Sequence, residues 1–260
     1  MSEHLFIPDA QIRPGVCTDH LEALGNYIVD KQPDVLINIG DFADMASLSS
    51  YERPGSKHLE GMRYDDDVGS TKEAMERLLD PIKAYNKQQR KNKKALYRPR
   101  MVMTLGNHEN RINRAINADP VKLEGTIGIS DLKYEKYGWE QHDFLDIVEV
   151  DGVLYSHYFV NPQGLTGHAI GGTIENKLRL LGNSFSMGHQ QHRQYGSKYL
   201  ADGTEIHGLV CGSFYMHDEE YLGPQKNRQY WRGVVVKHEV QNGSYDPMFV
   251  SLDYLLRNYL

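Results

Sequence analysis

The chain alternates short apolar runs with polar breaks, and each run has the length of a strand or a helix. Leu5-Phe6-Ile7-Pro8 predicts a first strand that stops at Asp9-Ala10-Gln11. Leu21 to Val29 has helical spacing, with Leu21, Leu24, Tyr27 and Ile28 on one face. Val35 to Ile39 predicts a buried strand that stops at Gly40-Asp41-Phe42-Ala43-Asp44. These three elements form a β-α-β unit. A right-handed crossover puts the ends of its two parallel strands on one edge, so Asp9 and Asp41 are expected to be neighbours.

Ser47 to Asp67 carries Pro54, Gly55 and Gly61 without a clean period and predicts loop or short helices. Thr71 to Asn86 predicts a helix (Ala74, Met75, Leu78, Leu79, Ile82, Tyr85), with Ser70 as its N-cap and Glu73 three residues on. Met101 to Leu105 predicts a strand that stops at Gly106-Asn107-His108-Glu109. Basic and polar residues follow: Asn110, Arg111, Asn113 and Arg114. Asn110 to Asn117 and Pro120 to Tyr137 predict mostly helix. Phe144 to Val150 and Val153 to Tyr155 flank Asp151-Gly152, a two-residue hairpin turn, and the second strand stops at Ser156-His157. Ile170 to Leu181 predicts a helix closed by Gly182-Asn183. Ser184 to Met187 then leads to Gly188-His189-Gln190-Gln191-His192. Beyond Tyr195 the pattern predicts strands around Tyr199, Ile206 to Phe214, Gly233 to His238 and Phe249 to Leu252, with turns at Asp202-Gly203 and Asn242-Gly243. No repeat or linker divides the chain. Residues 1–260 are expected to form one large α/β domain, with 45–100 an excursion over the edge where the strands end.

Composition narrows the classes. A chain of 260 residues can bury a substantial core, and its 40% hydrophobic and 25% charged residues are ordinary for a globular protein. A formal net charge of −6 argues against bulk attraction to nucleic acid or anionic membrane, but not against a local basic patch. One such patch is Lys87 to Arg100, with Arg90, Lys91, Lys93, Lys94, Arg98 and Arg100. It reads as a solvated helix end and loop, the alternative being a contact to a phosphate backbone. No apolar run reaches membrane-spanning length and no signal-peptide apolar region is visible, so no membrane partner is expected. The lone thiols Cys17 and Cys211 suit a reducing compartment, and a cytoplasmic location is expected.

The candidate chemistry lies at the strand ends. They carry Asp9 and Gln11, Asp41 and Asp44, Asn107 and His108, His157, then His189 and His192. Asp, Asn and Gly are good turn residues, which explains any one of these ends. Five apolar strands that all stop on a carboxylate, an amide or an imidazole point instead to a metal cluster on the sheet edge. Ligands of that kind, without thiolate, suit manganese, iron, zinc or magnesium. His168 could reach substrate, although a solvated loop histidine is the simpler reading. His58, His207 and His217 receive no role.

The order of these motifs resembles the calcineurin-like metallophosphoesterases. The resemblance rests on Asp9-Ala10-Gln11, Gly40-Asp41-Phe42-Ala43-Asp44, Gly106-Asn107-His108-Glu109, His157 and Gly188-His189-Gln190-Gln191-His192, and it spans roughly residues 5 to 215. It implies two mixed sheets in a sandwich flanked by helices, with two divalent ions, Mn²⁺ first among the choices, at the C-terminal strand ends. Asp9 and His192 would bind the first ion, Asp41 would bridge, and Asn107, His157 and His189 would bind the second. His108 would sit beside the phosphate, oriented by Asp44, and Glu109 would support the ligands without being one. The chain departs from the family pattern at Gln11, where a metal-binding His is usual, and at Met45, where protein phosphatases have a phosphate-gripping Arg. The implied reaction is hydrolysis of a phosphoester by a metal-bridged hydroxide. A nucleotide or nucleic-acid phosphodiester is the favoured substrate, because Tyr221 to Trp231 interleaves aromatics with Lys226 and Arg228. The rivals are a small phosphomonoester and, with Gln11 as the hint, a binding module that has lost turnover. Oligomeric state is not legible.

Overall fold

The computed structural model describes residues 1–50, 56, 59–164, 167–219 and 223–260. Four strands run parallel in the order of the chain: β1 (Ser2–Ile7), β2 (Val35–Asn38), β3 (Arg100–Thr104) and β4 (Glu140–His142). A second sheet is built from β5 (Val148–Val150), β6 (Val153–Tyr155), β7 (Phe185–Met187), β8 (Arg193–Tyr199) and β9 (Glu205–Cys211), in the order β5-β6-β7-β9-β8. In it β6, β7 and β9 are parallel. The last strands, β10 (Gly233–Gln241) and β11 (Ser244–Ser251), return to the first sheet and complete the order β11-β10-β1-β2-β3-β4. Two mixed sheets therefore face each other.

Strand alternation decides which side chain faces which layer. Phe6, Ile37 and Val102 face Val153, Tyr155 and Leu209 of the second sheet. Leu5, Ile7, Leu36 and Met103 face the other way, toward helices α1 (Asp19–Lys31), α2 (Tyr64–Lys91) and the C-terminal helix. There Leu21, Leu24, Met75 and Leu78 pack on them, each burial stabilising by roughly 1.5–3 kcal/mol. Shorter helices follow: α3 (Arg111–Ala118), α4 (Pro120–Leu123), α5 (Ile174–Leu181), α6 (Gly223–Asn227) and, at the C-terminus, α7 (Leu252–Tyr259). On the outside of the second sheet, α5 lays Ile174 and Leu178 against Phe185 and Val210. Among the described residues no helix is long and apolar enough to cross a membrane.

Several boundaries differ from the sequence pattern. Helix α2 starts at Tyr64, not after Ser70. Asp65, Asp66 and Asp67 fill its first turn, where the helix dipole favours negative charge. Ser70 Oγ lies inside the helix and donates to the Asp67 carbonyl at 3.0 Å. The basic stretch continues α2 to Lys91, and Arg100 then starts β3, paired with Glu140 at 2.8 Å. Main-chain bonds tie this region to Asp34, just before β2 (Arg100 N–H to the Asp34 carbonyl, 2.9 Å), so it lies at the edge where the parallel strands begin. Pro120 to Tyr137 is helical in short pieces, not in one run. Only α4 and two 3-10 turns, Ile129–Leu132 and Tyr134–Tyr137, form there, broken around Gly125 and Gly128. β5 begins at Val148, since Leu145 turns the chain with φ +74°. The hairpin at Asp151-Gly152 pairs Val150 with Val153, as its turn chemistry predicts. The short β4 and the helix α7 carried no strong periodic signal.

Candidate metal centre

The ends of β1, β2, β3, β6 and β7 converge, and the turns that follow are tight. A Cβ on Gly106 would strike Asp41 Oδ1 and its main-chain nitrogen, and one on Gly188 would strike Asp9 Oδ1. Both glycines are required so that two carboxylates can approach the main chain of neighbouring turns. Gln11 (φ +44°), Asp41 (φ +49°), Met45 (φ +50°) and His189 (φ +64°) are left-handed non-glycine residues, a conformation that costs energy and clusters at sites.

Asp41, His157 and His189 each bring a ligand atom to within 4.8 Å of the others. Asn107 Oδ1 lies 3.0 Å from His157 Nε2 and 2.8 Å from His189 Nδ1. His157 Nδ1 donates to the Ile39 carbonyl at 2.8 Å. The Nε2 of the neutral ring is then a lone pair, and it faces Asn107 Oδ1 and, at 3.2 Å, Asp41 Oδ2. Acceptors facing acceptors need a cation between them. The proton affinities agree. Burial opposes a charge on His157, yet Asp41 draws its pKa up to about 9. Burial would lift Asp41, but His108 and His157 hold it below the usual carboxylate range. Burial, opposed by His157 and aided by Asp41, lifts Asp9 to about 7. Burial lowers His189 to about 4, which keeps the imidazole neutral and able to ligate. A divalent ion would supply the charge that a proton on His157 otherwise supplies.

Of the remaining predicted ligands, Asp9 and Gln11 meet this group through the main chain of His189 and Asp41. Asp9 accepts the His189 N–H at 3.1 and 3.2 Å. Gln11 donates its main-chain N–H to the Asp41 carbonyl at 2.8 Å, and its Oε1 is buried with no partner among the described residues. His192 faces its own strand: Nδ1 donates to the Gln190 carbonyl at 2.8 Å, and Nε2 accepts from the Gln194 amide at 2.9 Å. Asp9 and His192 thus fall outside the three-residue group. The donors are carboxylate, imidazole and amide, with Cys17 exposed and Cys211 buried as free thiols. This set fits divalent ions of hard to borderline character.

His108 and Asp44 stand beside the cluster. His108 Nδ1 is 2.7 Å from Asp44 Oδ1, and its Nε2 is 3.7 Å from Asp41 Oδ2. Burial opposes a charge on His108, but Asp41 and Asp44 raise its pKa above the ordinary value. Asp44 is held low against burial by His108, Arg111 and Arg13. The sequence left the two arginines without a role. Arg111 Nη1 donates to the Asp44 carbonyl at 2.9 Å and to its carboxylate at 3.2 Å. Arg13 joins Asp44 (3.3 Å) to Glu219 (3.2 Å), and Glu219 meets His217 Nε2 at 3.0 Å. Arg111 carried one signal, its position three residues after His108; Arg13, His217 and Glu219 carried none. Glu109 is buried and accepts main-chain N–H groups of Asp41, Ala43 and Gly106.

Other predicted contributors lie elsewhere. His168 is exposed, and no described contact joins its ring to the cluster. His58 and Tyr221 lie outside the described residues. Trp231 is edge-on to Phe249 with Arg193 over its ring, Lys226 covers Tyr230, and Asn227 is buried against the Glu219 main chain. Among the described residues of this stretch, Trp231 and Tyr230 thus each carry a cation over one ring face.

A sheet-edge set of oxygen and nitrogen donors beside a histidine–carboxylate pair is suited to metal-assisted hydrolysis. The family model of the calcineurin-like phosphoesterases matches residues 5–212, and the chain belongs to that family. It is a metal-dependent hydrolase acting on phosphoester bonds, of a family whose divalent ions occupy a binuclear site. Among solved structures, Yfce, a phosphoesterase from E. coli, aligns over 96% of this chain and 99% of its own at 11% identity, with a TM-score of 0.40. The protein TT1561 of Thermus thermophilus aligns over 95% and 98% at 8% identity, with a TM-score of 0.34. No curated protein matches the sequence.

Proposed function

We propose that this phosphoesterase hydrolyses a phosphodiester of a nucleotide or nucleic acid, with manganese as its working metal, acting in the cytoplasm as one domain over residues 1–260. The observation that carries hydrolysis is the 2.7 Å pair of His108 and Asp44 beside Asp41, His157 and His189. Asp44 holds the Nδ1 proton and orients the ring. His108 Nε2 is then the atom that passes a proton to the leaving oxygen, which a sugar alkoxide requires. Asp9, Gln11, Asp41 and His192 would hold one ion, with His192 exchanging the Gln194 amide for it. Asp41, Asn107, His157 and His189 would hold the other. When bound, the ions supply positive charge to the phosphoryl group and lower the pKa of water.

The charge of the rim favours a diester. Arg13 is divided between Asp44 and Glu219, and Arg111 is paired with Asp44. Arg13 is taken up by two carboxylates, and of the two arginines only the Nη2 arm of Arg111 is left over; one donor arm suits a singly charged diester better than a monoester dianion. The test is hydrolysis of bis(p-nitrophenyl) phosphate against p-nitrophenyl phosphate with added manganese, for the wild type and Asp41→Asn. Diester turnover ahead of monoester, lost in the folded variant, is the expected result. Faster monoester turnover overturns the substrate class. A wild type inert on both with each divalent ion overturns hydrolysis and leaves a binding module.

A further inference from the structure

We propose that Arg111 is a phosphate-binding residue of this site, with its Nη2 and His108 Nε2 converging on one phosphoryl oxygen. The inference rests on the phosphoesterase reading and adds a residue to it. Position 45 cannot grip phosphate, because the Met45 side chain is buried in the core under the helices. Its main chain serves Arg111 instead. Arg111 begins α3, three residues after His108, so its side chain returns over the imidazole. Nη1 donates to the Asp44 carbonyl (2.9 Å), the Asp44 carboxylate (3.2 Å) and the Met45 carbonyl (3.4 Å). These acceptors fix the guanidinium plane before any ligand arrives. The residue is 8% exposed, so most of its rotamer freedom is already lost.

Nη2 is the free arm. It lies 3.3 Å from His108 Nε2, its one partner among the described residues; Nε2 accepts from it when unprotonated, and when Nε2 carries the proton both nitrogens are donors that need a shared acceptor. With His108 Nδ1 turned to Asp44, Nε2 is the nitrogen that faces Asp41 and the metal cluster. An oxygen at about 2.8 Å from both nitrogens completes a triangle with their separation, and a phosphoryl oxygen accepts charge-assisted bonds of that length. Arg13 is a poorer candidate, since its described contacts run to Asp44 and Glu219 and not to His108.

The test uses the full chain loaded with manganese and inorganic phosphate as the probe, by calorimetry and as a competitive inhibitor. Arg111→Ala should weaken phosphate binding about 10- to 100-fold, the worth of a hydrogen bond to a charged group. KM should rise with it, and guanidinium ion, but not urea, should restore phosphate affinity. A folded Arg111→Ala protein that binds phosphate like the wild type overturns the proposal, as does weakened binding that guanidinium leaves unchanged. Where Arg111→Ala does not fold, Arg111→Lys decides. Its single ammonium cannot serve Asp44 and phosphate at once, so undiminished phosphate affinity there overturns the proposal. If the wild type hydrolyses neither ester, the functional reading falls, while the phosphate titration still decides the role of Arg111.

Discussion

Glu109 holds the main chain of Asp41: its Oε2 accepts the Asp41 N–H at 2.9 Å and, at the same distance, the N–H of Gly106. Its Oε1 takes the Ala43 N–H at 2.9 Å and the Tyr134 hydroxyl at 3.3 Å. Burial and the nearby Asp41 push the Glu109 pKa up. All four neighbours can donate, however, and only the ionised carboxylate satisfies four donors. One side chain therefore locks the turn after β2 to the turn after β3, and with it the left-handed Asp41.

Glu109→Gln tests this lock. The amide group would point two N–H bonds at donors. The buried N–H groups left unpaired should cost roughly 2–4 kcal/mol in all. The expected outcome is a thermal midpoint lower by several degrees and weaker manganese binding by calorimetry, because Asp41 loosens. An unchanged midpoint with unchanged metal affinity would show that the turn holds itself.

The strand ends were readable because each combines an apolar run with a glycine turn, and parallel strands must finish together. Asp9, Asp41, Asn107, His157 and His189 follow from that rule. Ser70 misled because Ser-x-x-Glu imitates a helix start, while the acidic turn at Asp65 to Asp67 outweighs it. Arg111 was visible as a residue but not as a partner of Asp44, since its return over His108 depends on where α3 departs. Glu219 meets Arg13 across 206 residues of chain, a separation that no local pattern encodes. Trp231 was readable as an aromatic, but not that Phe249 and Arg193 pack against its ring.

His108 is expected to act through its Nε2 proton and not as a ligand. His108→Ala should slow hydrolysis of esters with poor leaving groups by on the order of 10²–10⁴. Esters of p-nitrophenol, whose leaving group needs no proton, should lose much less, and bound metal should be unchanged. Loss of metal from this variant would make His108 a ligand instead.

Acid should destabilise the fold through histidines outside the site. Burial, the largest effect at each, lowers both His4 and His20 to about 4. Both stay neutral in the fold and protonate near pH 6.5 in the unfolded chain. The unfolded state then takes up protons as pH falls, so stability drops from about pH 6.5 down to about pH 4, by up to about 1.4 kcal/mol per pH unit for each ring. Denaturant unfolding at pH 7, 6 and 5 should show the slope, and His20→Leu should reduce it by close to one proton. An unaltered slope in that variant would mean that His20 is charged in the fold.

Gln11 should make the two metal sites unequal. Its main-chain N–H meets the Asp41 carbonyl, its Oε1 is buried with no partner among the described residues, and an unpaired buried acceptor costs roughly 1–3 kcal/mol. A cation, or water held by one, would relieve that cost. The relief is limited, because a neutral amide oxygen is a weaker and harder donor than an imidazole nitrogen. The site built on Asp9, Gln11 and Asp41 must also draw His192 Nε2 away from the Gln194 amide, which lies 2.9 Å from it. Asn107, His157 and His189 already converge with Asp41, so their site needs less rearrangement. Calorimetric titration of the metal-free protein should therefore show one tight equivalent of manganese and one weak one. The weak site should favour manganese or magnesium over zinc more than the tight one does. Gln11→His adds a borderline donor to the weak site alone, and should tighten the second equivalent without moving the first. Two tight equivalents of equal affinity in the wild type, or a Gln11→His titration that matches it, would remove the asymmetry and Gln11 as its cause.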